Sequence, residues 1–225
     1  MTNDLIRVEL HSHTIYSRDC LVTPEAYIAA CRRKGIGRAA VTDHNTAEGA
    51  LRMQQMAPDL IIVAEEIRTT HGELLAYFLR ETIPPDLPPL ETIARIREQG
   101  GVVAVSHPAD RIRREAMGVE RVGVVLDHVD ALETFNARCL LPEDNRRAAR
   151  IARERGLTGF CGSDAHTVYE LGRATMLLAP FDDPATFLRS LQSGQAQARA
   201  STPLVHFASR WAKWMKRWGI VKTDR

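Results

Sequence analysis

The four cysteines of this chain, Cys20, Cys31, Cys139 and Cys161, are scattered, with no C-x-x-C pair among them. That spacing argues against a zinc ribbon or a disulfide framework, and free thiols in a domain of this size fit a reducing, cytoplasmic setting. No apolar run approaches the roughly 18 residues that a membrane span needs. The opening MTNDLIRVEL lacks a basic stretch followed by an apolar one, so no signal peptide is expected. An excess of one charge is also missing. Lys and Arg number 30 against 28 Asp and Glu, too even to indicate a protein that coats nucleic acid or membrane by charge alone. There is no internal repeat, and no G-x-G-x-x-G follows the first apolar run, which leaves an open dinucleotide-type sheet without support.

What is present reads as one α/β domain, since 225 residues suit a single sizeable core. Short β-branched runs recur at 5–10, 38–43, 60–66, 73–79, 101–107, 129–135, 157–164 and 173–179. Helical segments are expected between them over 23–35, 89–101, 142–156 and 183–194. Each of these helices has a Pro near its start, and all four close on Gly. Strands alternating with helices of this length argue for β/α units around a parallel sheet. Seven or eight of them favour a closed barrel.

The chemistry-bearing residues gather at the strand ends. His11 and His13 in "LHSHT" stand two apart, as do Asp164 and His166 in "GSDAH", and side chains so spaced on a strand share a face. His44 in "TDHN", Glu66 in "AEEI" and His107 in "SHPAD" close three more strands, and Asp19 follows the first pair. In a β/α barrel all of these lie at the rim that carries active sites. A lone histidine there is more often structural than a ligand. Five of them with three carboxylates would be costly to desolvate without a cation. Imidazole and carboxylate without thiolate suit Zn, Mn or Fe.

Taken in order, H-x-H with a following Asp, TDHN, a Glu after the third strand, SHPAD and GSDAH resemble the polymerase and histidinol phosphatase (PHP) family of metal-dependent phosphoesterases. The resemblance runs from about residue 7 to residue 175. It implies a distorted, TIM-like (β/α)7 barrel holding two or three divalent metals and hydrolysing phosphate esters through a metal-activated hydroxide. By the same resemblance one metal belongs to His11, His13, Glu66 and Asp164 and another to Asp19, His44 and His166. Glu66 bridges to a further one shared with His107. Glu66 is preferred to Glu65 because the family places this ligand directly before Ile or Val, here Ile67. Trinuclear members often add a histidine on the next strand, but "GELLAYFLRE" has none. His71 or Glu73 substitutes, water and substrate complete the shell, or only two metals bind.

Arginines near these motifs are candidates for gripping phosphate, because the guanidinium fork matches its oxygens. Arg18 and Arg111 rank first for being within a few residues of a ligand, ahead of Arg113, Arg114 and Arg138, although each is also readable as a solvated surface residue. Glu133 and Asn136 end another strand, where they line the pocket or serve loop hydrogen bonding. Asp43 orients an imidazole or shapes a turn. His128 and His206 carry no motif and are expected to be structural or exposed. The barrel is assigned to residues 1–200 and a basic, Trp-rich tail to 201–225. In that tail Trp211, Trp214 and Trp218 share one face of a helix, to pack on the barrel or to lie on an anionic membrane surface.

The partner implied is a small phosphorylated substrate. A 5′ exonuclease or nucleotide phosphatase acting on nucleic-acid ends is less favoured. Members of that kind usually insert a lid, and "SHPAD" and "GSDAH" stand only about 55 residues apart. An amidohydrolase usually bridges its metals with a lysine, and no Lys ends a strand here. A non-catalytic metal-binding module that regulates a partner is the reading from a different class. Oligomeric state is not legible.

Overall fold

The computed structural model describes residues 5–221, among which lie nine strands and seven helices. Strands β1 (Ile6–Glu9), β2 (Arg38–Val41) and β3 (Ile61–Thr69) pair in parallel, joined by helices α1 (Pro24–Arg33) and α2 (Glu48–Met56). Strand β4 (Gly72–Tyr77) then returns antiparallel between β3 and β5 (Val102–Val105), which follows α3 (Pro89–Glu98). Parallel pairing resumes through β5, β6 (Ala131–Asn136) and β7 (Thr158–Gly162), with the short α4 (Val119–Val122) and the longer α5 (Pro142–Arg155) between them. Strand β8 (Ala174–Leu178) lies antiparallel beside β1, and β9 (Gln195–Ala198), after α6 (Pro184–Gln192), pairs on its outer side. Helix α7 (Val205–Arg217) is the last element among the described residues. Residues 222–225, the end of the expected tail, lie outside the described residues.

The sheet is therefore mixed, where alternation alone pointed to a parallel one. Only Thr70 and His71 separate β3 from β4, and so short a link permits nothing but a hairpin. Gly72 takes φ of 123° in that turn, and a Cβ there would run into the Met117 backbone. The strand order is β7-β6-β5-β4-β3-β2-β1-β8-β9. Past the end of β1 the chain leaves β8 and meets the end of β7 instead. Ser12 bridges Ala165 in parallel, and the His13 N–H donates to the Ala165 carbonyl at 2.8 Å. The sheet is thus drawn nearly into a barrel at the end where the histidines lie.

Helix starts follow local chemistry. The Thr23 hydroxyl caps α1 ahead of Pro24, and Asp183 and Thr186 form a reciprocal capping box on α6. Gly156, at φ 64°, closes α5. Helix α2, which the sequence did not announce, has neither signal: its Ala47 cap makes no side-chain hydrogen bond.

Alternate residues on the strands link the core to the site. Ala64 and Glu66 share a face of β3, Ala131 and Glu133 a face of β6, and Leu75 and Glu73 a face of β4. The apolar members belong to one buried cluster with Val8, Leu10, Tyr77 and Phe160. The acidic members lie one step further along the same faces, so the sheet passes from dry core to charged rim within two residues. Because β4 runs the other way, its beginning reaches the rim, and that brings Glu73 there.

Helix α7 packs on this rim. Ser209 and Ala212 are buried, and the Arg138 guanidinium donates to Ser209 Oγ at 2.7 Å and to the Val205 carbonyl at 3.0 Å. The Lys216 ammonium donates to the carbonyls of Ile15 and Ser17. Among the described residues no helix is long and apolar enough to cross a membrane.

Candidate metal centre and substrate pocket

His11, His13, Asp19, Glu66, His107, Asp164 and His166 are all buried, and His44 is partly so. Glu66 Oε2 lies 3.3 Å from His11 Nε2 and 3.4 Å from His13 Nε2; Asp164 Oδ1 lies 3.8 and 3.3 Å from the same two nitrogens. These four buried atoms make no hydrogen bond. Buried polar atoms are seldom left so, and four in one place call for a cation. Bonds of about 2.0–2.1 Å to a tetrahedral zinc-type ion set its ligand atoms about 3.3–3.4 Å apart. The spacing fits.

Next to it, Asp19 Oδ1 is also without a hydrogen bond and lies 3.3 Å from His166 Nε2 and 3.6 Å from His44 Nε2. On the other side, His107 Nε2 stands 3.0 Å from Glu66 Oε1 and 3.6 Å from Glu73 Oε2. His44 Nδ1 is 3.1 Å from Glu66 Oε2 and 3.8 Å from Glu73 Oε1. Glu66 therefore touches three imidazole-lined spaces. Three triads in this centre have ligand atoms close enough to share an ion: His11, His13 and Glu66; His13, His44 and His166; His44, Glu66 and Glu73. His71, the other candidate substitute, is exposed and bonded to Thr70 Oγ1.

The supporting groups hold the rings in place. Glu133 Oε1 sits 2.9 Å from His11 Nδ1, and its Oε2 accepts the His107 backbone N–H at 2.7 Å. Asn136 Nδ2 donates to Glu133 Oε2 and Asp164 Oδ2, both at 3.2 Å. Ser17 Oγ lies 3.1 Å from His13 Nδ1 and is fixed by Asp43, which also accepts from the Ser17 and Thr14 backbone N–H groups. Asp43 thus acts on an imidazole through a serine. Such outer partners commonly fix ring orientation in metal sites. His107 (φ 27°) and Asp164 (φ 51°) keep left-handed backbone, which costs about 1–3 kcal/mol each and is typical of functional positions.

Electrostatics agree with a cation-binding role. Burial opposes ionisation of Glu66, yet His11 and His107 hold its carboxyl well below the usual range. Burial opposes ionisation of Asp164 likewise, and Arg113 with His11 brings it well down. His13, buried with its ring 4.2 Å from that of His166 and 4.4 Å from that of His44, is held well below the ordinary imidazole value by burial and by those neighbours. That leaves its Nε2 lone pair free to bind. Burial and the Glu66 charge push Glu73 up to about 7.

Comparison with known proteins follows the same outline. A model of the PHP domain matches residues 9–74, and one described as PHP-associated matches residues 142–196. An uncharacterized protein of Methanocaldococcus jannaschii is 34% identical over 173 residues, which cover 75% of this chain and 69% of that protein. The chain belongs to the PHP family of metal-dependent phosphoesterases. A probable phosphatase, YcdX, of Escherichia fergusonii is similar to it at 28% identity over 242 residues, covering 89% and 98% of the two chains. A solved two-domain protein of Bacteroides vulgatus, described as containing a predicted PHP-like metal-dependent phosphoesterase, superposes with a TM-score of 0.69 at 17% identity. That match covers 87% of this chain and 65% of that one, a likeness of fold.

Beside this PHP centre opens a cavity of about 270 Å³. Arg18 lines it from an exposed position, together with Arg68, Arg113 and Arg138. Arg113 pairs with Asp164 Oδ2. Arg111 turns away: its Nε donates to Asp144 Oδ1 at 2.7 Å, and it does not line the cavity. The chain bends sharply after Asp110, whose Oδ1 accepts the backbone N–H groups of Ile112 and Arg113, so neighbours two apart point in different directions. Arg114 is exposed and also outside the lining. Arg138 is committed to Glu170, at 3.1 Å, and to α7. Asn136 is buried behind the ligands and does not face the cavity.

His206, expected to be structural or exposed, lines the cavity with Ser209, Arg210 and Lys213 of α7, and Lys213 Nζ lies 3.3 Å from Asp19 Oδ2. No motif announces these four. Only the helical spacing of 206, 209, 210 and 213 places them on one side of a helix.

Proposed function

We propose that the chain hydrolyses a small phosphomonoester with two or three divalent ions, Zn, Mn or Fe, in this centre. The carrying observation is the set of buried imidazole and carboxylate atoms without hydrogen bonds, beside a cavity that Asp19, His44, Glu73 and His166 line together with arginines. The donor set contains no thiolate, which favours ions of that group. His11, His13, Glu66 and Asp164 would hold one ion, Asp19, His44 and His166 a second, and Glu66, His107 and Glu73 a third where three bind. When bound, such ions supply Lewis acidity that lowers the pKa of the attacking water and offsets charge on the phosphoryl oxygens.

The chain's own groups do the rest. Glu133 and the Ser17–Asp43 pair keep His11 and His13 turned toward the carboxylates. Arg18 and Arg113 face the cavity and supply donors for phosphoryl oxygens, while Arg68, whose Nε and Nη2 donate to Asp86, adds positive charge to the wall. Lys213 adds a fourth cation from α7 and, with Ser209, closes one side. The cavity's volume supports a small substrate rather than a polymer end. The free state of Cys20, Cys31, Cys139 and Cys161 supports a reducing, cytoplasmic setting.

The test is to load the protein separately with Zn, Mn and Fe(II), measure bound metal, and compare turnover of p-nitrophenyl phosphate with that of bis(p-nitrophenyl) phosphate. Metal-dependent hydrolysis that favours the monoester is expected. Full metal content without hydrolysis of the monoester, or a preference for the diester, overturns the reading.

A further inference from the structure

Helix α7 divides into three sectors at about 100° per residue. Ser209, Ala212 and Lys216 face the barrel. His206, Arg210 and Lys213 follow on the flank that lines the cavity. The remaining sector, opposite the packed one, carries Phe207, Trp211, Trp214 and Trp218, which are 64, 56, 46 and 68% exposed. Trp211 and Trp214 stack with ring centroids 5.0 Å apart, and Trp218 follows 6.4 Å beyond. Leu204, just before the helix, extends the same ribbon at 70% exposure. Elsewhere the large aromatics are buried or partly buried, Tyr27, Tyr77, Phe160 and Phe187 among them, apart from a lone Tyr169 at 85% exposure. A contiguous exposed apolar ribbon of this kind marks a contact surface.

We propose that this ribbon docks α7 flat on an anionic lipid surface. Charge selects the occupant. From Arg199 to Thr223 the sequence holds Arg199, Arg210, Lys213, Lys216, Arg217 and Lys222, and neither Asp nor Glu. A two-fold contact with a second copy would set Arg210 and Arg217 of both chains around the same indoles with no acid from this segment to pair them. Anionic headgroups supply the counter-charge. Indole rings, apolar in body with one N–H donor, settle at the headgroup level of a bilayer. A cationic helix with Trp, Phe and Leu on one side lies in that plane.

The experiment is co-sedimentation of the full chain with vesicles of phosphatidylglycerol and phosphatidylcholine, against vesicles of phosphatidylcholine alone, with tryptophan emission followed in parallel. Binding to the anionic vesicles only, weakened by added salt and accompanied by a blue shift, is expected. The double substitution Trp211→Ser with Trp218→Ser is expected to lower partitioning by roughly tenfold or more while sparing turnover of a soluble phosphomonoester. Arg217→Glu, which leaves the apolar ribbon intact, is expected to lower it severalfold. Absence of binding to the anionic vesicles, equal binding to the neutral ones, or a dimer in solution that the double substitution dissociates overturns the proposal.

Discussion

Glu133 Oε1 lies 2.9 Å from His11 Nδ1, and neither side chain is exposed to solvent. That contact decides which nitrogen of His11 faces Glu66 and Asp164. Substituting Glu133→Gln keeps the shape and removes the charge that favours an Nδ1-protonated ring with Nε2 as donor to metal. Metal affinity is expected to fall about 10–100-fold, read by competition with a chromophoric chelator. An unchanged affinity contradicts the positioning role.

Arg113 and Arg111 stand two residues apart and separate cleanly. Arg113→Lys loses the fork beside Asp164, and kcat/KM on a phosphomonoester is expected to drop about 10–100-fold, since lysine offers a point charge in place of two parallel donors. Arg111→Ala is expected to leave kcat/KM within about twofold. It costs about 1–2 kcal/mol in denaturant unfolding, because Asp144 stays buried with one donor fewer. Reversed effects at the two positions sink this assignment.

These two arginines also mark where reading the sequence stops. The proposed ligands His11, His13, His44, Glu66, His107, Asp164 and His166 were legible because each stands at or near the end of an apolar run, and such positions are ones that a regular period locates. Arg111 and Arg113 sit in an irregular turn, where nothing in the pattern says which side chain faces inward. Glu73 was ambiguous for a topological reason: it begins a strand, and a beginning reaches the rim only if that strand runs antiparallel. The two-residue hairpin that reverses β4 is short enough to be overlooked in an otherwise alternating chain. Lys213 meets Asp19 across nearly two hundred residues, and His206 reaches the same cavity, placements made by tertiary packing alone.

Lys216 ties α7 to the loop that carries Ser17 and Asp19 by donating to two backbone carbonyls. Lys216→Met keeps the aliphatic stem and deletes the donor. A loss of about 1–3 kcal/mol in unfolding free energy is expected. KM is expected to rise a few-fold as the wall bearing Ser209 and Lys213 loosens, with kcat held within about twofold. Steady-state kinetics beside denaturant titration reads both, and a fall in kcat at unchanged KM speaks against a wall.

Removing metal is expected to lower the unfolding midpoint, because the cluster atoms of His11, His13, Glu66 and Asp164 have no other partner. At a free ion concentration about 100-fold above Kd, the stabilisation withdrawn by a chelator is about 2.7 kcal/mol. Calorimetry with and without chelator checks this, and substituting His13→Ala shrinks the difference. Identical midpoints before and after chelation exclude a cluster that binds ions tightly.

Glu65 supplies a pH dependence with a definite sign. Its side chain is buried; Oε2 accepts the Ile83 N–H at 2.9 Å, while Oε1 makes no hydrogen bond. Burial pushes its pKa up to about 8, against 4.5 for an ordinary glutamate. Between those values the folded protein holds a proton that the unfolded chain has released. The contribution of this group to stability is therefore complete below the lower value and is lost as pH rises toward 8. Glu65→Gln has no proton to lose. Comparing the two proteins in the same metal-loaded state cancels the titration of the histidines, which both share. From pH 6 to pH 8 the variant is expected to gain about 2 kcal/mol on the wild type, measured by denaturant unfolding at each pH. Parallel curves mean that Glu65 ionises in the folded protein as it does in water, and that a polar path reaches it.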